Sequence, residues 1–233
     1  MPEETAPTDT TPAPTPAPTG ARSPSSVLGA FGCGCAALVG VPVLGLVALL
    51  AWFFSGSTDI PRVAPEEMAD RAFQRSQEAY DLMGFKRTVE PGVEDIGVST
   101  ENTLGSGYCY DGGLLGLEDK TVDGAYQMSH SWALDHVPAS QAVPGLRRLR
   151  RQLKDDGWEI TSYREGGKSK SFDLYVQRDD GAEHMSFTWY QDREYFTGGA
   201  SVPCAYDPEW KDGDVSPAGD DQRPPALGPG QRS

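Results

Sequence analysis

The sequence predicts an α+β protein in which an antiparallel sheet of about four to six strands carries two helices, is closed by one disulfide and follows one transmembrane helix. Three observations lead there. Residues Val27 to Phe54 hold no charged side chain over 28 positions, the second half of the chain alternates apolar and polar residues with period two, and Cys109 and Cys204 form a single cysteine pair in the C-terminal region.

Residues 1–26 are rich in Pro, Thr and Ala and offer no large apolar side chain after Met1. Such a segment cannot bury enough surface to offset its chain entropy, so it is expected to be a disordered arm. The uncharged run at 27–54 exceeds the roughly 20 residues that cross a hydrocarbon core about 30 Å thick. Its glycines and Pro42 weaken a helix in water, but in lipid an unpaired backbone group costs more than that lost propensity. Trp52, Phe53 and Phe54 fall where an interfacial aromatic belt belongs. A cleaved signal peptide is the rival reading, with Ser55-Gly56-Ser57 as the processing site. Its apolar core would be about 7 to 15 residues long behind a short basic start, whereas here a long acidic arm comes first. Cys33 and Cys35 stand about 200° apart on a helix and are read as small apolar residues of the span, not as a bridge.

Arg22 before the span and Arg62 after it leave the basic-residue bias nearly tied. Cysteine use breaks the tie, because one pair in a small anchored domain reads as a bridge formed outside a reducing compartment. The expected arrangement is a single-pass cell-membrane protein with a cytoplasmic N-terminus and an extracytoplasmic C-terminal domain.

After a linker at 55–64, Pro65, Glu66 and Glu67 open a helix and Gly84 stops it, with Ala69, Ala72, Phe73, Ser76, Tyr80 and Met83 on one face. Val93 to Val98 reads as a short strand, and Gly105 to Gly116 as turns around Cys109, without the Lys-Ser/Thr ending of a phosphate-binding loop. A strand near Tyr126 to Val137 leads to a helix carrying Val143, Leu146, Leu149 and Leu153, ending at Gly157. Strands follow at Trp158–Arg164, Phe172–Gln177, Met185–Tyr190 and Phe196–Cys204, separated by hairpin connections. The folded domain is thus expected at 65–206. Residues 207–233, rich in Pro, Gly and Asp, are expected to be a disordered tail.

Alternation sorts the strand residues. Trp158, Ile160, Phe172, Leu174, Val176, Met185, Phe187 and Trp189 should face the leucine stripe of the second helix. The opposite rows place Tyr163, Tyr175, Thr188 and Tyr190 toward solvent, a candidate binding face, because Tyr joins flat apolar area to a hydroxyl. An ordinary exposed face is the plainer alternative. Arg147, Arg150, Arg151 and Lys154 gather beside the leucines as a candidate anion-binding cluster, although such runs are usually solvated and paired with acidic neighbours.

The net charge of -14 argues against a nucleic-acid surface. No catalytic set, cofactor motif or metal-ligand spacing is read. His130 and His136 would share one face of a strand, but six residues separate them by roughly 20 Å. Ser129, Ser131 and Asp135 lack a nucleophile-elbow sequence around them.

Arg outnumbers Lys, and the Pro, Ala, Gly and Thr usage, together with an arm, an anchor and one small domain, resembles small single-pass anchored proteins of high-GC Gram-positive bacteria. The resemblance lies in composition and layout and transfers no activity. The expected partners are the lipid bilayer and an envelope protein or polymer. The expected role is a non-catalytic binding module, with an accessory subunit of a membrane complex and an envelope hydrolase as alternatives.

Overall fold

The computed structural model describes residues 60–111, 120–167, 170–214 and 217–230. The arm (1–26), the apolar run (27–54) with Cys33 and Cys35, and residues 55–59 of the linker lie outside the described residues. Among the described residues, no helix is long and apolar enough to cross a membrane.

Two helices, α1 (Pro65–Met83) and α2 (Ala139–Asp155), accompany eight strands: β1 (Gly92–Val93), β2 (Glu101–Asp111), β3 (Lys120–Leu134), β4 (Glu159–Glu165), β5 (Ser171–Arg178), β6 (Glu183–Tyr190), β7 (Tyr195–Ser201) and β8 (Ala205–Tyr206). Among the described residues they form one antiparallel sheet in the order β1-β2-β3-β7-β6-β5-β4, with β8 paired to β3. Eight strands exceed the four to six expected. The extra ones are the two-residue β8, and β2, whose glycine-rich stretch reads as turns in the sequence but is strand through Gly105 and Gly107, paired with Ser129 and Gln127, while the strand expected at Val93–Val98 shrinks to β1, with bend and turn from Glu94 to Ser99.

Both helices cover the same face of the sheet, α1 over β3 and β7, α2 over β4 and β5. The six residues expected on the inner face of α1 are all buried. On α2, Leu146, Leu149 and Leu153 are buried and Val143 packs at the margin. The apolar rows meet them as alternation requires, with Leu174, Val176, Met185, Phe187 and Trp189 each at most 3% exposed.

At the centre lies Trp132 of β3, stacked on Phe196 (5.4 Å between centroids, 8° between planes) and edge-on to Tyr80 of α1 at 5.2 Å. Its indole lies flat across β7 where Gly198 has no side chain; a Cβ there would sit 2.3 Å from Trp132 Cζ2. A buried carboxylate pins the helix layer to the sheet, because Glu183 of β6 accepts from Arg75 Nε of α1 (2.7 Å) and Arg178 Nε of β5 (2.7 Å). Two charged partners make the burial of that group tolerable.

Cys109 and Cys204 are joined, with Cα atoms 6.1 Å apart and 95 positions separating them in sequence. Closing such a loop removes denatured-state entropy worth about 4 to 5 kcal/mol. The bridge ties the end of β2 to the chain between β7 and β8.

The structure corrects two expectations. The first is the tail, where Leu227 is fully buried and pairs with Val89 through two backbone hydrogen bonds (2.8 and 2.9 Å). Gln77 Nε2 donates to the Gly228 carbonyl (2.7 Å), Asn102 Nδ2 to that of Pro225 (2.9 Å) and Ser106 Oγ to that of Ala218 (2.5 Å). The chain from Pro217 to Gly230 is therefore a strap fastened beside α1 and β2. These bonds run from side chains to backbone carbonyls, so they leave no periodic signal in the sequence. The second is Tyr163. Pairing between β4 and β5 slips by one residue between Ile160 and Ser162, so Tyr163 opposes Leu174 and turns toward the helices. A one-residue bulge reverses the facing of everything beyond it. The linker's last residues are likewise docked, with Tyr206 N donating to the Pro61 carbonyl (2.8 Å) and Tyr126 Oη to that of Val63 (2.6 Å).

Two substitutions test this packing. Leu227→Ala should lower unfolding free energy by about 2 to 5 kcal/mol in chemical denaturation, as for other buried leucines. A truly loose tail would leave it unchanged. Gly198→Ala should cost about 1 to 3 kcal/mol or more through overpacking against Trp132, with a matching loss of near-ultraviolet dichroism.

Candidate functional site

The face of the sheet opposite the helices carries no helix among the described residues, although Ala133, Asp173, Thr188 and Tyr195 on it are buried. Strand register places Thr103, Ser131, Gly199, Ser186, Tyr175 and Ser162 in one row across six strands, with Gly105, Ser129, Ser201, His184 and Gln177 in the next. The middle of this face is therefore a shelf of small hydroxyl and glycine residues, bounded on β5 by Tyr175, which is 38% exposed.

Of the four residues expected to form a binding face, the structure sets Tyr175, Thr188 and Tyr190 on this side and Tyr163 on the other. Thr188 is 8% exposed, hemmed in by Asp173 and Thr197 on the flanking strands, and presents little to a ligand. Tyr190 lies under Arg193, whose guanidinium is 4.4 Å from that ring and 5.7 Å from the ring of Tyr195. Arg193 Nη1 also reaches the Gly97 carbonyl (3.5 Å), in a connection that exposes Val93, Ile96 and Val98. The one buried carboxylate of this face, Asp173, is capped by Arg164 Nη2 at 2.8 Å and accepts from Ser171 Oγ at 3.2 Å.

Two of the four residues of the expected anion cluster on α2, Arg147 and Arg150, are engaged by the protein itself. Arg147 grips Glu165 with two hydrogen bonds (2.9 and 2.6 Å), and Arg150 stacks 4.2 Å from the ring of Tyr163. Tyr163 Oη also donates to Glu165. The bond from Arg147 is the main reason the Glu165 carboxyl falls to about 2. Arg148 caps α1 by donating to the carbonyls of Leu82 (3.2 Å) and Met83 (2.5 Å). Arg151 and Lys154 remain exposed. The bulge that turns Tyr163 inward also brings Glu165 beneath Arg147, a pairing the sequence does not show.

The histidines stand in three separate settings. His184 is on the uncovered face and His136 is exposed beside Asp135 (2.8 Å). Burial opposes ionisation of Asp135, but hydrogen bonds from Arg87 and His136 outweigh it and hold that carboxyl below its ordinary value. His130 is buried on the helix side, edge-on to Phe73 at 5.1 Å, while Ser129 and Ser131 point the opposite way. Asn102 fixes its tautomer. Both amide hydrogens of Asn102 serve carbonyls, Val89 at 2.9 Å and Pro225 at 2.9 Å, so its oxygen must accept from His130 Nε2 at 2.8 Å. Nδ1 is then bare, and it has no partner among the described residues. Burial pushes the His130 pKa down to about 3. It is thus a neutral structural link between sheet and strap.

Among the described residues, no group of three or more His, Cys, Asp or Glu is placed to hold a metal ion. One feature absent from the sequence reading is a cleft beside Tyr108 and Trp210, formed partly by the stretch that reads as a tail. A lone Trp in an otherwise polar segment was its only signal. No protein-family model matches the chain, and no curated protein matches it.

His130 predicts a pH dependence. Its folded pKa lies below the ordinary 6.5, so the stability it contributes is complete above that value and is lost as pH falls toward about 3. Between about pH 6 and pH 4, unfolding free energy should fall by roughly 1.4 kcal/mol per pH unit from this group. His130→Gln, which keeps a donor for Asn102, should flatten that slope in denaturation series across the range. An equal slope in both proteins would assign the acid sensitivity elsewhere.

Proposed function

We propose that the chain is a membrane-anchored, extracytoplasmic, non-catalytic interaction module that recognises an envelope protein or polymer through the uncovered face of its sheet. The observation that carries this reading is the one-sidedness of the fold: helices and strap crowd one face and leave a flat row of Ser, Thr and Gly beside Tyr175 on the other. Hydroxyls without bulky neighbours admit close approach, and an adjacent tyrosine adds apolar area and a donor, which suits a polar, extended ligand. Sidedness is supported by the Cys109–Cys204 bridge, a bond that persists outside reducing compartments. The uncharged run at 27–54 supplies the anchor, and with the bridged domain outside, the arm lies on the cytoplasmic side.

The alternatives have less behind them. An accessory subunit would use the transmembrane helix and the Phe73–Met83 surface of α1 as interfaces, and the second of these is buried in the domain's own core. A hydrolase needs a base hydrogen-bonded to its nucleophile; Ser129 and Ser131 face away from His130, and His184, which shares their face, makes no hydrogen bond to a serine hydroxyl among the described residues.

Site-specific photocrosslinking in native membranes tests the reading. A photoreactive residue at Ser186 or Tyr175 should yield a discrete adduct with an envelope component, and one at Arg151 on the helix side should not. Adducts from the helix side alone would contradict it.

A further inference from the structure

The cleft beside Tyr108 and Trp210 has a volume of about 380 Å³, within the range of small-ligand pockets. It opens between the β2–β3 hairpin and the chain that follows β8. Three carboxylates line it, Asp123, Asp207 and Asp214, and no Lys, Arg or His does. Two aromatic rings, Tyr108 and Trp210, form walls of the same space.

The aromatic wall is held in place by the backbone. Gly124 of β3 adopts φ +74°, and a Cβ there would come within 2.8 Å of Trp210 Cδ2, so the indole lies directly against the strand. Asp207 N donates to the Gly124 carbonyl (2.9 Å) and Trp210 N to that of Asp207 (3.4 Å), which fixes the loop beneath the ring. The backbone amides of Glu209 and Lys211 each take one carboxylate oxygen, of Asp207 and Asp214 respectively, at 2.9 Å. Each aspartate keeps its second oxygen.

We propose that this cleft binds an alkylammonium group of the lysine side-chain type, with Trp210 and Tyr108 against the stem and cation and the three aspartates as counter-charge. The ring faces discriminate between kinds of cation. Aromatic walls attract an ammonium through the ring quadrupole and pack its alkyl stem, whereas a metal ion has no stem to bury and needs three or more ligating atoms converging on a point. No His, Cys, Asp or Glu group among the described residues meets that requirement, and here the carboxylates are spread around an aromatic-walled space instead. The cleft's volume leaves room for a stem of several carbons. The assignment does not depend on the uncovered face.

The test uses the full-length protein in detergent, titrated with Nα-acetyl-lysine amide and with an uncharged analogue that lacks the ammonium, Nα-acetyl-norleucine amide, by calorimetry at low and high salt. The lysine compound should bind saturably below about 10 mM and weaken with salt, and the norleucine compound should not bind. Asp123→Asn, which alters one exposed side chain, should weaken binding on the order of tenfold, and Trp210→Leu by a similar factor, with unchanged melting temperature for the first. Equal binding of both compounds, no saturation by lysine, wild-type affinity in Asp123→Asn, or displacement of lysine by an equal concentration of calcium would each overturn the proposal. Should Trp210→Leu fail to fold, Asp123→Asn and the norleucine comparison still decide.

Discussion

The position of Trp132 flat against β7 is the constraint on which the rest of this fold depends. A side chain of that size crosses to the neighbouring strand only because Gly198 is bare, and once there it presents a ring for Tyr80 of α1, Phe85 and Phe196 to pack around. Apolar burial on that face must then be completed by whatever the chain can bring: two helices and the C-terminal strap. Everything that covers goes to one side. The opposite face receives the alternate residues, which are small and polar, so the same period-two register that builds the core also sets out the exposed shelf.

Side chains join these covering elements to one another. Asn102 couples strap, sheet and the Val89 segment through three hydrogen bonds, and His130 supplies one of them at the cost of burying an imidazole with a bare nitrogen. Glu183 plays the equivalent part at the other end of α1's contact, holding guanidinium groups from the helix and the sheet. Such networks are expensive when incomplete, which makes them sensitive to strap docking and to acid. The disulfide acts differently, by limiting how far the β2 end and the β7–β8 connection separate in the unfolded chain.

Much of this was legible in the sequence where periodicity speaks. The inner face of α1, the leucine stripe of α2, the inward rows of β5 and β6, and the Cys109–Cys204 pair follow from spacing and alternation. What was missed has identifiable physical causes. Gly105 and Gly107 disguise β2 because strand propensity counts against glycine, although glycine on an exposed face opposite Ser129 and Gln127 is tolerated once the sheet exists. The bulge between Ile160 and Ser162 has no signature in composition, yet it moves Tyr163 to the helix side, under Arg150, and pairs Arg147 of α2 with Glu165. The strap and the cleft rest on contacts between distant segments, such as Gln77 with Gly228 and Trp210 with Gly124, which a local reading cannot see.

One-sided covering is the claim from which the recognition role, and the exposure of the shelf, both follow. Hydroxyl-radical footprinting of the purified full-length protein in detergent, free of envelope partners, tests it most directly. The account predicts rapid oxidation of Tyr175 on the uncovered face, with Trp132 and Trp189, each 1% exposed, protected until the fold is lost. Protection of Tyr175 to the same degree as those tryptophans in the isolated protein, or early oxidation of Trp132, would contradict it.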